Sequence, residues 1–153
     1  MNKTQLTNLV IIPTLKEIPH GYSVAAVMAI QMIIAHESSC CEFIAQKRGP
    51  ALGIIQMEPE THDDTWAHGD SIYRNAEALK IVTPGLGVKN IPKADRLIYD
   101  LRYNAFMARQ RLFMFSESLP ESAEAMANYL KKYWNAGGKA TATKYHYDFS
   151  RWV

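Results

Sequence analysis

Hydrophobic residues recur at helical spacing along most of the chain, and the alternation typical of strands is almost absent. The most apolar segment covers residues 24–35, and Ser23 in front of it is a residue type that caps helices. Because this segment is apolar nearly all round, we expect a helix in the middle of the domain that ends near Glu37. The pattern therefore predicts a mainly α fold.

Proline, glycine and cap residues divide the rest of the chain into shorter elements. The further helices that we expect cover 4–18 with a break or kink at Pro13, 59–66, 72–81, 97–115 as one helix or two, a segment from Pro120 to Gly137 and Gly138, and the C-terminus. Gly49, Pro50 and Gly53 mark an irregular stretch in which 51–57 forms a short hairpin or an extended loop. A second loop is expected over 84–92.

Composition narrows the class of protein. A chain of 153 residues, 48% hydrophobic and 21% charged, suits one globular domain over 1–153. A net charge of +2 without clustered Lys and Arg predicts no nucleic-acid partner. The apolar run 24–35 is shorter than the roughly 20 residues that span a bilayer, so we expect no stable membrane insertion.

The cysteines and the N-terminus bear on the compartment. Cys40 and Cys41 are adjacent, and adjacent residues rarely close a disulfide with good geometry. We therefore expect no disulfide and a chain that folds in a reducing compartment. The first ten residues also lack the charged start and the apolar stretch of a secretory signal.

Glu37 is the first candidate for chemistry. A carboxylic acid at the end of an apolar helix is partly desolvated, which raises its pKa, and the partial negative charge of the helix end acts in the same direction. A raised pKa is what a general acid needs near neutral pH. The alternative is a solvent-facing glutamate that merely ends the helix.

Two later segments favour the catalytic interpretation. Glu37–Ser38 is followed by Ala-Leu-Gly-Ile-Ile-Gln at 51–56 and by Trp-Asn-Ala-Gly-Gly at 134–138. In this order the segments resemble those of the soluble lytic transglycosylases and goose-type lysozymes, within the lysozyme superfamily. The resemblance begins near Val24. In its segment 56–64 and in lacking a recognisable export signal, the chain resembles bacteriophage cell-wall lysins (endolysins) in particular.

The resemblance implies a single-domain lysozyme-like fold with the 51–57 segment at the cleft. It implies cleavage of the β-1,4 bond between N-acetylmuramic acid and N-acetylglucosamine in peptidoglycan. Glu37 would protonate the glycosidic oxygen, and Ser38 would help to orient it. Gly53 would let the backbone approach the sugar, Gln56 would hydrogen-bond within the cleft, and Asn135 would face the substrate.

One position departs from the family pattern. The family usually has a tyrosine immediately before the asparagine of the C-terminal segment, whereas this chain has Trp134. An indole can stack on a sugar face but cannot supply a phenol oxygen. Trp134, Trp66 and Tyr73 are candidates for sugar stacking, although core packing is the default interpretation of such residues.

A second carboxylate decides between two mechanisms. Glu58 follows Gln56 by two residues, where goose-type lysozymes have an aspartate, and it is our candidate base for activating water. Alternatively, Glu58 only favours the start of a helix, and Asp63 or Asp64 supplies the second carboxylate. In a lytic transglycosylase, Glu37 would act as acid and then as base, and the sugar's own hydroxyl would give a 1,6-anhydro end.

No metal and no cofactor are expected. His62 and Asp63 are neighbours on a predicted helix and should face different directions, and the chain has no His-Glu-x-x-His pattern. Cys40 and Cys41 are expected to be small buried apolar residues rather than nucleophiles.

These observations favour a muramidase of the endolysin type that acts in cell lysis. The alternatives are a lytic transglycosylase and a non-catalytic glycan-binding virion protein on the same fold. We expect a monomer whose partner is the peptidoglycan glycan strand. It would reside in the host cytoplasm before release to the cell wall, or be carried in the virion.

Overall fold

Helices account for most of the regular structure. This computed structural model describes residues 1–86 and 90–153, which form one mainly helical domain. In chain order, the helices of these ranges are α1 (Lys3–Leu6), α2 (Ile12–Glu17), α3 (Val24–Glu37), α4 (Pro59–His68), α5 (Ile72–Ala78), α6 (Arg96–Tyr99), α7 (Leu101–Phe113), α8 (Ala123–Tyr133) and α9 (Ala142–Arg151). The prediction of a mainly α chain is confirmed.

Helix α3 forms the centre of the domain, as its apolar sequence predicts. Its first turn is capped by Ser23, whose Oγ accepts a hydrogen bond from the backbone N–H of Ala26 at 2.9 Å. Residues on every side of α3, among them Ile30, Met32 and Ile33, are fully buried. Helices α7, α8 and α9 all pack against α3. The helix therefore places its last residue, Glu37, at a fixed point where several elements meet.

The N-terminal segment is helical, as predicted, and the break that was one of the two alternatives at Pro13 does not occur. A π turn over Thr7–Ile11 joins α1 to α2, so the chain stays helical through Pro13. Pro13 lies in the first turn of α2, where its missing N–H costs little. The hydroxyl of Thr14 donates to the carbonyl of Val10 at 2.7 Å, which satisfies a backbone group beside the irregularity.

Helix α8 is shorter than predicted at both ends. It begins after Ser122, whose side chain accepts from the N–H of Ala125 at 3.1 Å, and not at Pro120. It ends at Tyr133, before the Gly137–Gly138 pair. Trp134 and Asn135 therefore follow the last helical turn of α8.

The segment predicted as a hairpin or an extended loop contains only isolated bridges. Leu52 forms antiparallel bridges with Ala45 and with Met57, and the described residues contain no extended strand. Gly53 begins the tight turn between Leu52 and Met57 with a φ of +78°, a conformation that other residues rarely adopt. Part of the predicted loop 84–92, residues 87–89, lies outside the described residues.

Within residues 1–86 and 90–153, every helix is too short or too polar to cross a bilayer.

We predict that Gly53→Ala destabilises the protein by about 2 kcal/mol or more, because positive φ and overpacking both oppose the new methyl group. A Cβ at this position would collide with Asn104 Oδ1 and the carbonyl of Leu97. Gly137→Ala is the matched control, since a Cβ there meets nothing within 4 Å, and it should stay within about 0.5 kcal/mol of wild type. Urea unfolding measures both, and equal stabilities of the two variants would contradict the packing.

Candidate active site

An open cleft of about 360 Å³ lies where the end of α3, the 46–58 segment, the start of α4 and the residues after α8 meet. Most of the segments named in the sequence analysis contribute to it. Its lining consists of Glu37, Gln46, Ala51, Gln56, Met57, Glu58, Thr61, Arg111, Trp134 and Asn135. The fold therefore brings five of the seven predicted site residues together, although they are separated by up to a hundred residues in the chain.

Glu37 is the partly buried acid of this cleft. The hydroxyl of Tyr145 donates a hydrogen bond of 2.6 Å to Glu37 Oε1. Burial raises the pKa of Glu37, and the hydrogen bond from Tyr145 and the charge of His36 lower it by less, so the net shift is upward. The carboxyl group is therefore held in one orientation and favours its protonated form more than an exposed glutamate does.

Tyr145 was not found by the sequence analysis. It lies in α9, is fully buried, and its ring packs on the His36 ring at a centroid distance of 4.1 Å. Burial, together with the neighbouring Glu37 carboxyl, strongly raises the pKa of Tyr145. The phenol therefore remains protonated and serves as a donor to Glu37 at any ordinary pH.

A buried acid on α9 fixes His36 in turn. Asp148 Oδ2 accepts a hydrogen bond from His36 Nδ1 at 2.8 Å, and Asp148 Oδ1 lies 2.7 Å from Lys144 Nζ and 3.2 Å from Arg151 Nε. Burial raises the pKa of Asp148, but its bonds to Lys144, His36 and Arg151 outweigh that effect and the net shift is downward. A charged Asp148 thus orients the ring against which Tyr145 packs.

Ser38 shapes the chain after Glu37 and makes no hydrogen bond to the acid in the described structure. Its buried hydroxyl donates to the carbonyl of Ile34 at 3.0 Å and accepts from the N–H of Cys41 at 3.2 Å. The turn that follows is left-handed, with φ values of 49° to 68° at residues 39–41. Such a run costs roughly 1–2 kcal/mol per residue, and Ser38 links it to the end of α3.

Both cysteines lie in that turn, and both are partly buried. Burial raises the pKa of Cys41 to about 11, and burial likewise raises the pKa of Cys40. Each thiol is therefore protonated near neutral pH, which makes a thiolate nucleophile at this position unfavourable.

Glu58 faces the same cleft as Glu37. It precedes the first residue of α4, but its side chain makes no capping hydrogen bond to that helix. The carboxylate is exposed and lines the cleft. Its place in the cleft thus remains compatible with a role toward a substrate or a water molecule.

Three neutral side chains complete the predicted set in the cleft. The amide of Gln56 donates to the carbonyl of Gly53 at 2.8 Å, which fixes the amide plane. Lys131 Nζ donates to the backbone carbonyl of Asn135 at 3.1 Å and holds the segment after α8. Trp134 is only partly buried and presents an aromatic surface to the cleft. Hydrogen-bonding amides thus lie beside a partly exposed aromatic ring in this cleft.

Gly53 and Trp66 lie elsewhere. Gly53 is buried against Asn104 and Leu97, so its positive φ and this close packing explain the glycine without a role toward a ligand. Trp66 is only 1% exposed and Tyr73 packs edge-on against it at 5.4 Å. Trp66 therefore belongs to the core, as the default interpretation had it, and is excluded as a residue that stacks on a sugar.

Arg111 is a cleft residue that the sequence did not indicate. Its Nη1 donates to Asp64 Oδ2 at 2.8 Å, and the charged hydrogen bond from Arg111 lowers the pKa of Asp64. Asp64 is therefore engaged with a cation and lies outside the cleft lining, as does Asp63. Among the acidic side chains of the described residues, Glu37 and Glu58 line the cleft.

The His62 region was predicted incorrectly in one detail. His62 is fully buried, and its Nδ1 lies 2.9 Å from Asp63 Oδ1, although the two were expected to face apart. Its Nε2 lies 2.6 Å from the hydroxyl of Tyr103, which also accepts from Trp66 Nε1. Both ring nitrogens of the buried His62 are thus within hydrogen-bond distance of a protein oxygen. In the described ranges, no group of three His, Cys, Asp or Glu side chains is placed to hold a metal ion.

Comparisons with known proteins returned no match: no family model, no curated protein and no solved structure is significantly similar to the chain.

We predict that Tyr145→Phe raises the pKa of Glu37 further, because the lost hydrogen bond stabilises the carboxylate form. Carbon-13 NMR titration of labelled glutamate side chains measures this directly. Tyr147→Phe is the matched control, since Tyr147 is 59% exposed on the same helix. A Glu37 titration that is unchanged or shifted downward in Tyr145→Phe would contradict the assigned hydrogen bond.

Proposed function

We propose that this chain is a lysozyme-like enzyme that cleaves the β-1,4 bond between N-acetylmuramic acid and N-acetylglucosamine in peptidoglycan. The observation that supports it best is the partly buried Glu37 carboxyl, held by Tyr145 at the wall of an open cleft that also contains Glu58. The order of the segments around Glu37, Gln56 and Asn135 resembles that of the transglycosylase and goose-type lysozyme families.

Glu37 is the general acid in this proposal. Its raised pKa keeps a proton on the carboxyl group at higher pH than an exposed glutamate would. That proton passes to the glycosidic oxygen as its bond to the anomeric carbon breaks and the attacking oxygen forms a bond to the same carbon. Tyr145 keeps the carboxyl oriented, and its hydrogen bond stabilises the carboxylate that remains after proton transfer.

The attacking oxygen distinguishes a muramidase from a lytic transglycosylase. In the muramidase, Glu58 takes a proton from a water molecule that attacks the anomeric carbon, and a reducing muramic end results. The exposed Glu58 side chain, which faces the cleft without capping α4, favours this version. In the alternative version, the Glu37 carboxylate takes the proton of the sugar's own 6-hydroxyl, and a 1,6-anhydro end results.

The cleft supplies contacts suited to an amino sugar. Trp134 offers a face for stacking against a pyranose ring, and the amides of Gln56 and Asn135 can bond to hydroxyl and acetamido groups. We propose that the protein acts as a monomer in phage-induced cell lysis, released from the host cytoplasm to the wall. A virion-borne enzyme would use the same site.

We predict that purified protein releases soluble fragments from peptidoglycan and that Glu37→Gln lowers the rate at least about a hundredfold, because the general acid is lost. Mass spectrometry of the fragments identifies their ends. Glu42→Gln serves as the matched control, since Glu42 is an exposed glutamate five residues further on and outside the cleft lining.

The fragment ends separate the versions of the proposal. Reducing muramic ends, with a rate that falls in Glu58→Gln but not in Glu60→Gln, support the muramidase. Anhydro ends, one water lighter, with full activity in Glu58→Gln, support the transglycosylase. Absence of fragments from wild type on several wall types would overturn the catalytic proposal and leave a glycan-binding module.

A further inference from the structure

Arg109, on the face of α7 away from the cleft, is a buried cation without an acidic partner in the described structure. It is 8% exposed and forms no ion pair within the described ranges. Its Nε donates to the carbonyl of Gly21 at 2.8 Å, and the guanidinium lies 3.9 Å from the centre of the Phe113 ring. Buried charges are normally paired, so this arrangement calls for an explanation.

A pocket of about 430 Å³ lies beside this guanidinium. Its volume falls within the range of roughly 300–1,000 Å³ that is usual for small-molecule sites. Nη1 of Arg109 makes no hydrogen bond to any described residue, although Nε and Nη2 donate to backbone carbonyls. Leu112, Phe115 and Leu119 form apolar walls. A planar carboxylate is the group that a guanidinium with free N–H donors binds best.

The charges at the mouth of the pocket narrow the ligand further. Glu117 and Glu121 also line the pocket, and unlike Arg109 both are exposed to solvent. Lys132 Nζ lies 3.4 Å from Glu117 Oε2 and offsets part of that charge. A simple anion would be repelled by the two glutamates, whereas a ligand that carries an ammonium group beside its carboxylate would be attracted by them.

We propose that this pocket binds a small zwitterion of the amino-acid or dipeptide class, with its carboxylate on Arg109 and its ammonium group toward Glu117 and Glu121. The site is separate from the cleft, since no residue lines both. Phe115, for example, packs against Tyr133 at 5.2 Å and lines the pocket alone. The proposal therefore does not depend on the chemistry of Glu37.

The test uses alanyl-alanine as the probe and follows binding by NMR chemical shifts of the full-length protein. Wild type should bind the dipeptide, alanyl-alanine amide should fail because it lacks the carboxylate, and N-acetyl-alanyl-alanine should bind more weakly because it lacks the amine. Arg109→Lys should weaken binding by about tenfold or more, since a bidentate charged contact is lost.

A second variant guards against loss of folding, because Arg109 also bonds to the backbone at Gly21. Ser118→Trp fills the mouth of the pocket from an exposed position and should abolish binding, whereas Ser150→Trp, exposed on α9, should leave it unchanged. Absence of any shift at about 10 mM dipeptide, ten times a millimolar Kd, would overturn the proposal. So would equal binding of the amide, or full binding by Ser118→Trp.

Discussion

The hydrogen bond from Tyr145 to Glu37 joins the two parts of the molecule on which the candidate site depends. Glu37 ends the central helix α3, and Tyr145 lies in α9, the last helix, 108 residues further along the chain. Partial burial raises the pKa of the Glu37 carboxyl group, but burial alone would leave the orientation of that group undefined. Tyr145 supplies the orientation because its own hydroxyl is buried and remains protonated.

The surroundings of this hydrogen bond explain why α9 packs so closely on α3. His36 precedes Glu37, packs its ring on Tyr145, and bonds to Asp148 one turn further along α9. Asp148 stays charged because Lys144 and Arg151 also bond to it. The acid of the cleft is thus supported by a chain of charged and aromatic contacts that lies directly behind it.

Local sequence signals predicted the helices, whereas contacts between residues far apart in the chain determined which side chains lie in the cleft and which in the core. The cap at Ser23, the apolar run and the end at Glu37 are local in sequence, and the structure agrees with them. Tyr145 and Arg111 could not be found in this way, because their roles depend on helices that meet only in the folded chain. For an aromatic residue such as Trp66 the sequence favours the core without excluding the cleft, and the packing shows that the side chain is buried. Helical spacing alone also does not indicate the contact between His62 and Asp63. The His62 ring is buried with Nε2 against Tyr103, and in this orientation Nδ1 lies beside Asp63.

The most direct test of the central claim is the pH dependence of kcat/KM on isolated peptidoglycan, compared with the NMR titration of Glu37 in the same protein. The active form of a general acid is protonated, so kcat/KM should fall as pH rises through the raised pKa of Glu37. The fall should coincide with that titration and should move to higher pH in Tyr145→Phe. A profile whose alkaline limb is independent of the Glu37 titration would contradict the assignment of Glu37 as the acid.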